Sequence, residues 1–296
     1  MRILRTIAEL REAVAAARAD DSTVGLVPTM GALHEGHLSL VRAARSGNDL
    51  VVMSIFVNPM QFTESADLSA YPRQEEADTG LAESAGVDIV FAPAVEEMYP
   101  AGFATTVHVG GRVAETLEGR ERGSAHFDGV ATVVSKLLIA CMPDAAYFGQ
   151  KDAQQLVVVR RMVRDLGIPT RVIACPILRD ADGLALSSRN VRLTPADRAR
   201  ALAIPRALQR VEAAVAAGDR SAPLLRAAAE EVFSGAEIDV EYLALVDPDT
   251  LEEVDEIAGP TLCAVAARLG EVRLIDNTLL LPRGGGPQRP DRSTKE

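Results

Sequence analysis

The chain has 296 residues, of which 31 are basic and 42 acidic, so its formal net charge at pH 7 is −11. Apolar residues make up 48% and charged residues 25% of the sequence, which is typical of a globular protein and not of a disordered one. The acidic balance and the absence of tryptophan argue against a large nucleic-acid surface.

The sequence also argues against a membrane protein and against a disulfide-rich one. Its longest stretch without a charge, residues 50–63, is shorter than the ~20 apolar residues of a membrane-spanning helix, and the N-terminus does not resemble a signal peptide. Cys141, Cys175 and Cys263 lack the Cys-x-x-Cys spacing of a zinc site. We therefore expect a cytoplasmic protein with reduced thiols, and neither a membrane nor a nucleic acid as its partner.

The N-terminal part of the chain alternates short apolar runs, which predict strands, with longer stretches of 3.6-residue periodicity, which predict helices. The predicted strands are residues 24–28, 50–56, 87–91, 145–148 and 170–174. The predicted helices are residues 37–46, 75–85, 129–141 and 152–166. This order predicts a Rossmann-like, doubly wound α/β domain with a parallel sheet over residues 1–177, whose ligand binds beyond the carboxyl ends of the strands.

The pattern changes after residue 177. Thr194 and Pro195 are residue types that favour an N-cap and a first helical position, and they begin one long helix rich in alanine and arginine. A smaller α+β domain is predicted over residues 178–282, with a second helix and three strands at residues 222–233, 240–246, 262–267 and 272–276. Residues 283–296 have the composition of a disordered tail.

The segment after the first predicted strand carries the strongest chemical signal. From residue 27 to residue 37 it reads Val-Pro-Thr-Met-Gly-Ala-Leu-His-Glu-Gly-His. A glycine-punctuated loop that leads from a strand into a helix offers N–H groups and the positive end of a helix dipole, which suits a phosphate. Gly31 and Gly36 would let a triphosphate approach the backbone. His34 and His37 share one face of the first helical turn and can point at the same anion.

The spacing of this segment argues against two other kinds of site. Gly31 and Gly36 are spaced as in a Walker A motif, but His37 and Leu38 stand where the lysine and the hydroxyl residue should follow. His34 and His37 are i and i+3, whereas the HExxH zinc motif needs i and i+4. The alternative that the two histidines only cap a helix stays open.

Polar residues also follow other predicted strands. Lys151 comes after the strand at residues 145–148, where an ammonium would neutralise phosphate charge, while its neighbour Asp152 is either a ligand of the same site or an N-cap. Residues 186–189, Leu-Ser-Ser-Arg, form either a loop that closes on a ligand or an ordinary turn.

The segment after the second predicted strand contains uncharged amides. Asn58 and Gln61 suit hydrogen bonding to a hydroxy-carboxylate. Asp78, one turn into the next predicted helix, is either an exposed helix acid or a magnesium ligand.

Six motifs in this order resemble those of the pantoate–β-alanine ligases (pantothenate synthetases), a family within the HxGH nucleotidyltransferase superfamily. They lie at residues 27–37, 56–62, 71–73, 126–130, 147–152 and 187–190. The resemblance implies ATP-dependent condensation of (R)-pantoate with β-alanine to pantothenate, through a pantoyl adenylate and with release of pyrophosphate and AMP. It also implies a requirement for Mg²⁺, a homodimer, and a C-terminal domain that acts as a lid and keeps water from the adenylate.

The resemblance further implies roles for individual residues. His37 is the expected proton donor as pyrophosphate departs, with His34 and Lys151 as the other catalytic groups. The expected ATP-binding residues lie in three segments: Met30, Gly31, Ala32, Leu33, His34, Glu35, Gly36 and His37; Gly149, Gln150, Lys151 and Asp152; and Leu178, Leu186, Ser187, Ser188 and Arg189. Leu178 is expected to offer its carbonyl to adenine. The substrate-binding amides are expected to be Asn58, Gln61 and Gln155, and the magnesium ligand Asp78.

Two other functions are alternatives to this one. A plain nucleotidyltransferase would release an adenylylated product without forming an amide. An RNA-binding fragment related to class I aminoacyl-tRNA synthetases would need a basic surface, against which the net charge of −11 argues.

Overall fold

The computed structural model describes residues 1–62 and 65–282. The chain divides into two compact units, Met1–Val191 and Arg192–Glu296. The predicted boundary after residue 177 lies too early, because the chain then turns back in a hairpin in which Arg179 pairs with Ala185 and Ala185 is buried. This hairpin belongs to the N-terminal unit. The predicted tail, residues 283–296, lies outside the described residues.

The N-terminal unit is built on six strands: β1 (Arg2–Leu4), β2 (Val24–Thr29), β3 (Leu50–Ile55), β4 (Ile89–Phe91), β5 (Ala145–Gly149) and β6 (Arg171–Cys175). They form one parallel sheet in the order β1-β4-β3-β2-β5-β6, which confirms the predicted α/β fold. The five predicted strands correspond to β2–β6. Strand β1 was not predicted, because it has only three residues and lies at the edge of the sheet, where two of the three are exposed.

The helices of this unit are α1 (Ile7–Ala19), α2 (Glu35–Gly47), α3 (Ser65–Ala70), α4 (Glu75–Ser84), α5 (Val95–Met98), α6 (Arg112–Glu115), α7 (Glu118–Arg122), α8 (Ser124–Cys141) and α9 (Ala153–Asp165). Short 3-10 turns cover Pro59–Gln61, Gln150–Asp152 and Ser188–Arg192. Helix α8 starts earlier than the predicted residue 129, because Phe127 already packs into the core from its first turns.

Helix α8 is a core helix. Its length and composition alone would suffice to cross a membrane, but 67% of it is buried inside the fold. The apolar side chains that explain its hydropathy, such as Val130 and Leu138, are almost fully buried. The hydropathy of α8 therefore reflects packing against the sheet and the neighbouring helices.

The C-terminal unit contains α10 (Pro195–Ala201), α11 (Ala203–Ala217) and α12 (Ala222–Ser234), followed by β7 (Asp239–Val246), β8 (Thr261–Leu269) and β9 (Val272–Leu280). The three strands form an antiparallel sheet in the order β7-β8-β9, as expected for an α+β unit. Thr194 is the N-cap, since its hydroxyl accepts a hydrogen bond from the N–H of Asp197 (3.1 Å). The one long helix predicted after it is two helices that meet at Leu202.

The connectivity of the parallel sheet changes direction between β2 and β5. From β2 the chain continues to β3 on one side, whereas β5 and β6 extend the sheet on the other. The loops that follow β2 and β5 therefore leave the sheet side by side, beyond the carboxyl ends of two adjacent strands. Ligands of open α/β sheets bind at such a switch point.

Candidate active site

His34 and His37 form a reciprocal cap at the start of α2. The Nδ1 atom of His34, the N-cap residue, accepts a hydrogen bond from the N–H of Gly36 (3.1 Å), and Nδ1 of His37 accepts from the N–H of His34 (3.3 Å). The ring centroids are 4.2 Å apart. Both histidines therefore cap α2, and this arrangement leaves the opposite nitrogen, Nε2, of each ring without a hydrogen-bond partner among the described residues.

Burial keeps both imidazoles neutral. Desolvation, followed by the charges of His34 and Lys151, lowers the pKa of His37 to about 4, although Asp152 opposes the shift. Burial and Lys151 lower the pKa of His34 in the same way. A neutral imidazole whose Nδ1 is an acceptor carries its proton on Nε2. The site thus presents two N–H donors beside the ammonium of Lys151, and the structure brings all three predicted catalytic residues together.

The two glycines of the loop serve its internal packing. A Cβ on Gly36 would lie 2.7 Å from Cε1 of His34, so this glycine makes room for the histidine ring that caps the helix. Gly31 has φ +88°, and a Cβ there would lie 2.9 Å from Oδ2 of Asp78. Contacts inside the protein therefore account for both glycines, which were expected to let a triphosphate approach.

Asp78 does not match either of its predicted roles. Its side chain is buried (3% exposed), so it is not an exposed helix acid. Its two carboxylate oxygens accept hydrogen bonds from the N–H groups of Ala32 (2.9 Å) and Leu33 (2.7 Å). A carboxylate that is enclosed and already accepts hydrogen bonds from two backbone N–H groups does not fit the role of a magnesium ligand. Residues 1–62 and 65–282 contain no group of three histidine, cysteine, aspartate or glutamate side chains that could hold a metal ion.

Asn58 is also misassigned as a substrate ligand, because its amide is buried (1% exposed) and fully used. Its Nδ2 donates to Oε1 of Gln61 (2.8 Å) and to the carbonyl of Gly129 (3.0 Å). Its Oδ1 accepts from the N–H of Met60 (3.3 Å) and from the hydroxyl of Tyr99 (2.7 Å). Asn58 therefore orients Gln61, whose Nε2 has no partner in the described part of the chain.

Helix α8 packs against the Gln61 turn, and this contact was not predicted from the sequence. A Cβ on Gly129 would lie 2.2 Å from the carbonyl oxygen of Met60, so the helix backbone and the turn are in direct contact. Nδ1 of His126 lies 2.8 Å from the carbonyl oxygen of Gln61. The motif at residues 126–130 contains the two residues that make these contacts, His126 and Gly129, whereas no local pattern pointed to Tyr99.

The two adjacent glutamines at the start of α9 have different environments. Gln154 is buried and bonds three backbone groups: its Oε1 accepts from Glu118 N (2.8 Å), and its Nε2 donates to the carbonyls of Val113 (3.0 Å) and Thr116 (2.7 Å). Gln155 is half-buried and makes no hydrogen bond to any described residue. The predicted ligand, Gln155, is the one whose amide remains available.

The remaining residues of the first two predicted segments lie along the same loops. Leu33 packs into the core, whereas Glu35 is exposed and pairs with Arg42. Gly149 ends β5, and Asp152 stands at the N-cap position of α9, as one of its two alternatives predicts, although its side chain makes no capping hydrogen bond.

The third predicted segment forms a hairpin after β6. The carbonyl of Leu178 accepts a hydrogen bond from the N–H of Leu186 (2.9 Å) and keeps a second lone pair, so the contact expected between this carbonyl and adenine stays a prediction. The N–H of Leu178 has no partner among the described residues. The hydroxyl of Ser187 accepts a hydrogen bond from the N–H of Arg189 (3.2 Å). Burial raises the pKa of Tyr71, and the charge of Arg189 opposes this shift. The residues at 186–189 thus lie near the loop that follows β3.

Comparison with known proteins gives the family of this chain. A family model described as pantoate-beta-alanine ligase matches residues 2–279. The chain belongs to the pantoate–β-alanine ligase family. It is accordingly an ATP-dependent ligase of pantothenate biosynthesis, and the two alternatives, a plain nucleotidyltransferase and an RNA-binding fragment, are set aside.

Relatives within the pantoate–β-alanine ligase family match almost the full chain. Pantothenate synthetase of Moorella thermoacetica is 55% identical over 281 residues, covering 95% of this chain and 99% of the relative. That of Koribacter versatilis is 51% identical and covers 97% and 99%. A crystal structure of pantothenate synthetase from Thermus thermophilus has a TM-score of 0.89 at 49% identity, covering 95% of this chain and all of the other.

A second crystal structure, of pantoate-beta-alanine ligase from Francisella tularensis, was obtained in complex with beta-gamma ATP and beta-alanine. It is 34% identical, has a TM-score of 0.77, and covers 94% of this chain and 97% of the other. The ligands belong to that protein.

Proposed function

We propose that His34, His37 and Lys151 activate pantoate by adenylation. A carboxylate oxygen of pantoate bonds to the α-phosphorus of ATP, and the bond from that phosphorus to the bridging oxygen breaks, so that its electron pair leaves with pyrophosphate. The amine of β-alanine then attacks the acyl carbon, loses a proton, and displaces AMP. The observation that carries this proposal is the pair of Nε2–H donors, with ring centroids 4.2 Å apart, beside the Lys151 ammonium at the switch point of the sheet.

The electrostatic requirement of the first step explains these residue types. Pantoate and ATP are both anions, and their approach is unfavourable unless local positive charge and N–H donors offset it. A bound triphosphate favours the charged form of a nearby imidazole and so raises the depressed pKa of His37. His37 is then the group suited to give a proton or a strong hydrogen bond to the departing pyrophosphate.

The remaining contacts follow from the groups that the protein leaves available. Nε2 of Gln61 and the amide of Gln155 would bind the hydroxyl and carboxylate oxygens of pantoate, with Gln61 also lining the β-alanine position. The carbonyl of Leu178, through its second lone pair, would accept a hydrogen bond from the amino group of adenine, and the N–H of Leu178 would donate to a ring nitrogen. Asp152 would bind the ribose, and residues 186–189 would close over the triphosphate.

Magnesium enters this proposal as part of the substrate. Mg²⁺ is commonly bound through substrate phosphates and few protein ligands, so we expect it to arrive with ATP and to offset the triphosphate charge. We assign no side chain of this chain as its ligand. We also retain as proposals a homodimer, a cytoplasmic location, and a C-terminal unit that acts as a lid and shields the adenylate from water.

The decisive experiment is exchange between ATP and labelled pyrophosphate with pantoate present and β-alanine absent. An adenylate intermediate predicts exchange that depends on pantoate, and it predicts steady-state AMP formation only after β-alanine is added. If the complete reaction forms pantothenate but no pantoate-dependent exchange occurs at any pyrophosphate concentration, activation does not pass through a free-standing adenylate step and the assigned mechanism is wrong.

A further inference from the structure

The loop between β2 and α2 passes through two successive left-handed residues. Gly31 has φ +88° and Ala32 has φ +51°. Glycine adopts this conformation readily, but the Cβ of alanine makes it unfavourable. A residue held in such a conformation persists where its surroundings constrain it. The backbone that leads to His34 is therefore held in place by a contact outside the loop.

That contact is the carboxylate of Asp78, which lies 46 positions away from Ala32 in the chain. One oxygen accepts from the N–H of Ala32 (2.9 Å) and the other from the N–H of Leu33 (2.7 Å). Successive N–H groups of a left-handed turn form a concave site for an anion, and hydrogen bonds to a carboxylate are among the stronger ones in proteins. Here a side chain of the protein occupies the anion site of the loop.

The packing around Asp78 encloses its carboxylate, so that both oxygens contact the loop and are shielded from solvent. The side chain of Asp78 is 3% exposed, and a Cβ added to Gly31 would lie only 2.9 Å from its Oδ2 atom. The helix that carries Asp78, α4, is fixed at its first turn, because Arg5 donates to Glu75 (2.8 Å) and to the carbonyl of Ala92 at the end of β4 (3.0 Å). The sheet edge, α4 and the loop are thus linked in one series of contacts.

We propose that Asp78 is a positioning residue for ATP binding: it holds the Gly31–Ala32 turn so that His34 and His37 meet the triphosphate. This inference rests on the proposed function. It has two consequences. The N–H groups of Ala32 and Leu33 do not bind phosphate, because Asp78 uses them, and magnesium does not bind to Asp78.

The kinetic test compares Asp78→Asn with Glu76→Gln. Both substitutions remove one negative charge from the same turn of α4, but Glu76 is exposed and its side chain makes no hydrogen bond to a described residue. We expect Asp78→Asn to lower kcat/KM for ATP about 10- to 100-fold, the scale of a slightly misplaced site, and Glu76→Gln to leave it unchanged. The Mg²⁺ concentration for half-maximal rate should stay the same in Asp78→Asn, and excess Mg²⁺ should not restore its activity.

Hydrogen exchange supplies a readout that does not depend on activity. In the ligand-free wild-type protein, the amides of Ala32 and Leu33 should exchange slowly, and Asp78→Asn should accelerate their exchange while Glu76→Gln does not. If Asp78→Asn proves unstable, Gly31→Ala disturbs the same contact from the loop side and should give the same kinetic change. Fast exchange of both amides in the wild type overturns the proposal without any variant.

Two further outcomes would also overturn it. Equal kcat/KM for ATP in Asp78→Asn and Glu76→Gln would show that the loop does not need the carboxylate. Restoration of Asp78→Asn by excess Mg²⁺ would make Asp78 a metal ligand. Either result leaves the proposed function intact if the wild type still shows pantoate-dependent pyrophosphate exchange, so that the two failures are distinguishable.

Discussion

Nδ2 of Asn58 donates a hydrogen bond to Oε1 of Gln61 (2.8 Å), and this bond decides which end of the Gln61 amide faces a substrate. The N–H of Met60 can only donate, so the Asn58 atom that it contacts is the oxygen, and the Asn58 nitrogen must face Gln61. The oxygen of Gln61 is therefore used inside the protein. Its Nε2, a donor, has no partner among the described residues and is the atom that we propose binds the oxygens of pantoate.

Removal of the Tyr99 hydroxyl should weaken pantoate binding, because this hydroxyl contacts Oδ1 of Asn58 (2.7 Å) and helps to set its orientation. We expect Tyr99→Phe to raise KM for pantoate about fivefold, which corresponds to ~1 kcal/mol for one hydrogen bond, with a smaller effect on KM for ATP. Steady-state kinetics with each substrate varied will measure this.

The matched control is Tyr147→Phe. The hydroxyl of Tyr147 also contacts a buried asparagine, Asn48 (2.8 Å), but not at the Gln61 turn. Tyr147→Phe should lower the free energy of unfolding by a similar amount and leave KM for pantoate unchanged. An unchanged KM in Tyr99→Phe, or an equal rise in both variants, would contradict the proposed chain of contacts from Tyr99 through Asn58 to Gln61.

The adjacent glutamines of α9 should separate into one structural and one binding residue. Gln154→Ala leaves two buried backbone groups and one half-buried backbone group without their partner and should lower the free energy of unfolding by about 3 kcal/mol. Gln155→Ala removes no hydrogen bond and should leave the free energy of unfolding within about 0.5 kcal/mol, but raise KM for pantoate. Urea denaturation and steady-state kinetics on both variants test this, and the reverse assignment of effects would refute it.

Loss of a catalytic donor should slow the reaction without unfolding the protein. We expect His37→Ala and Lys151→Ala each to lower kcat about 100-fold or more, the scale for removal of one preorganised electrostatic donor. His108→Ala is the control for loss of a histidine, because His108 is an exposed residue paired with Asp128 (2.9 Å). Near-normal turnover of both His37→Ala and Lys151→Ala would disprove the assigned roles.

The stability of the ligand-free protein should fall as the pH falls below about 6.5, the pKa of a histidine in an unfolded chain. Burial lowers the pKa of His37 to about 4, so between these values the unfolded chain takes up a proton that the folded protein does not. From pH 7 to pH 5 this residue alone should cost about 2 kcal/mol of unfolding free energy.

The measurement is urea denaturation of the wild type and of His37→Gln at pH 7 and pH 5. The variant should lose about 2 kcal/mol less than the wild type over this range. Equal losses in the two proteins would mean that His37 is not held neutral by burial.

Local patterns were sufficient for the fold and for the nucleotide loops. Strand and helix periodicity identified five of the six parallel strands, and parallel strands bring their carboxyl ends to one edge. The residues that follow β2 and β5 were therefore placed together correctly. The histidine pair could also be found locally, because residues i and i+3 on one helical turn are neighbours whatever the rest of the chain does.

The sequence by itself thus determined the family, the sheet and the position of the histidines, since these depend on neighbouring residues or on a long series of motifs. Only the tertiary structure decided the roles of Asp78, Asn58 and Gln154. The hydrogen-bond partners of Asp78 lie 45 and 46 positions away, and the tyrosine that contacts Asn58 lies 41 positions away. A polar side chain becomes a ligand or a support according to whether the folded chain has already satisfied its hydrogen bonds, and no local spacing records that.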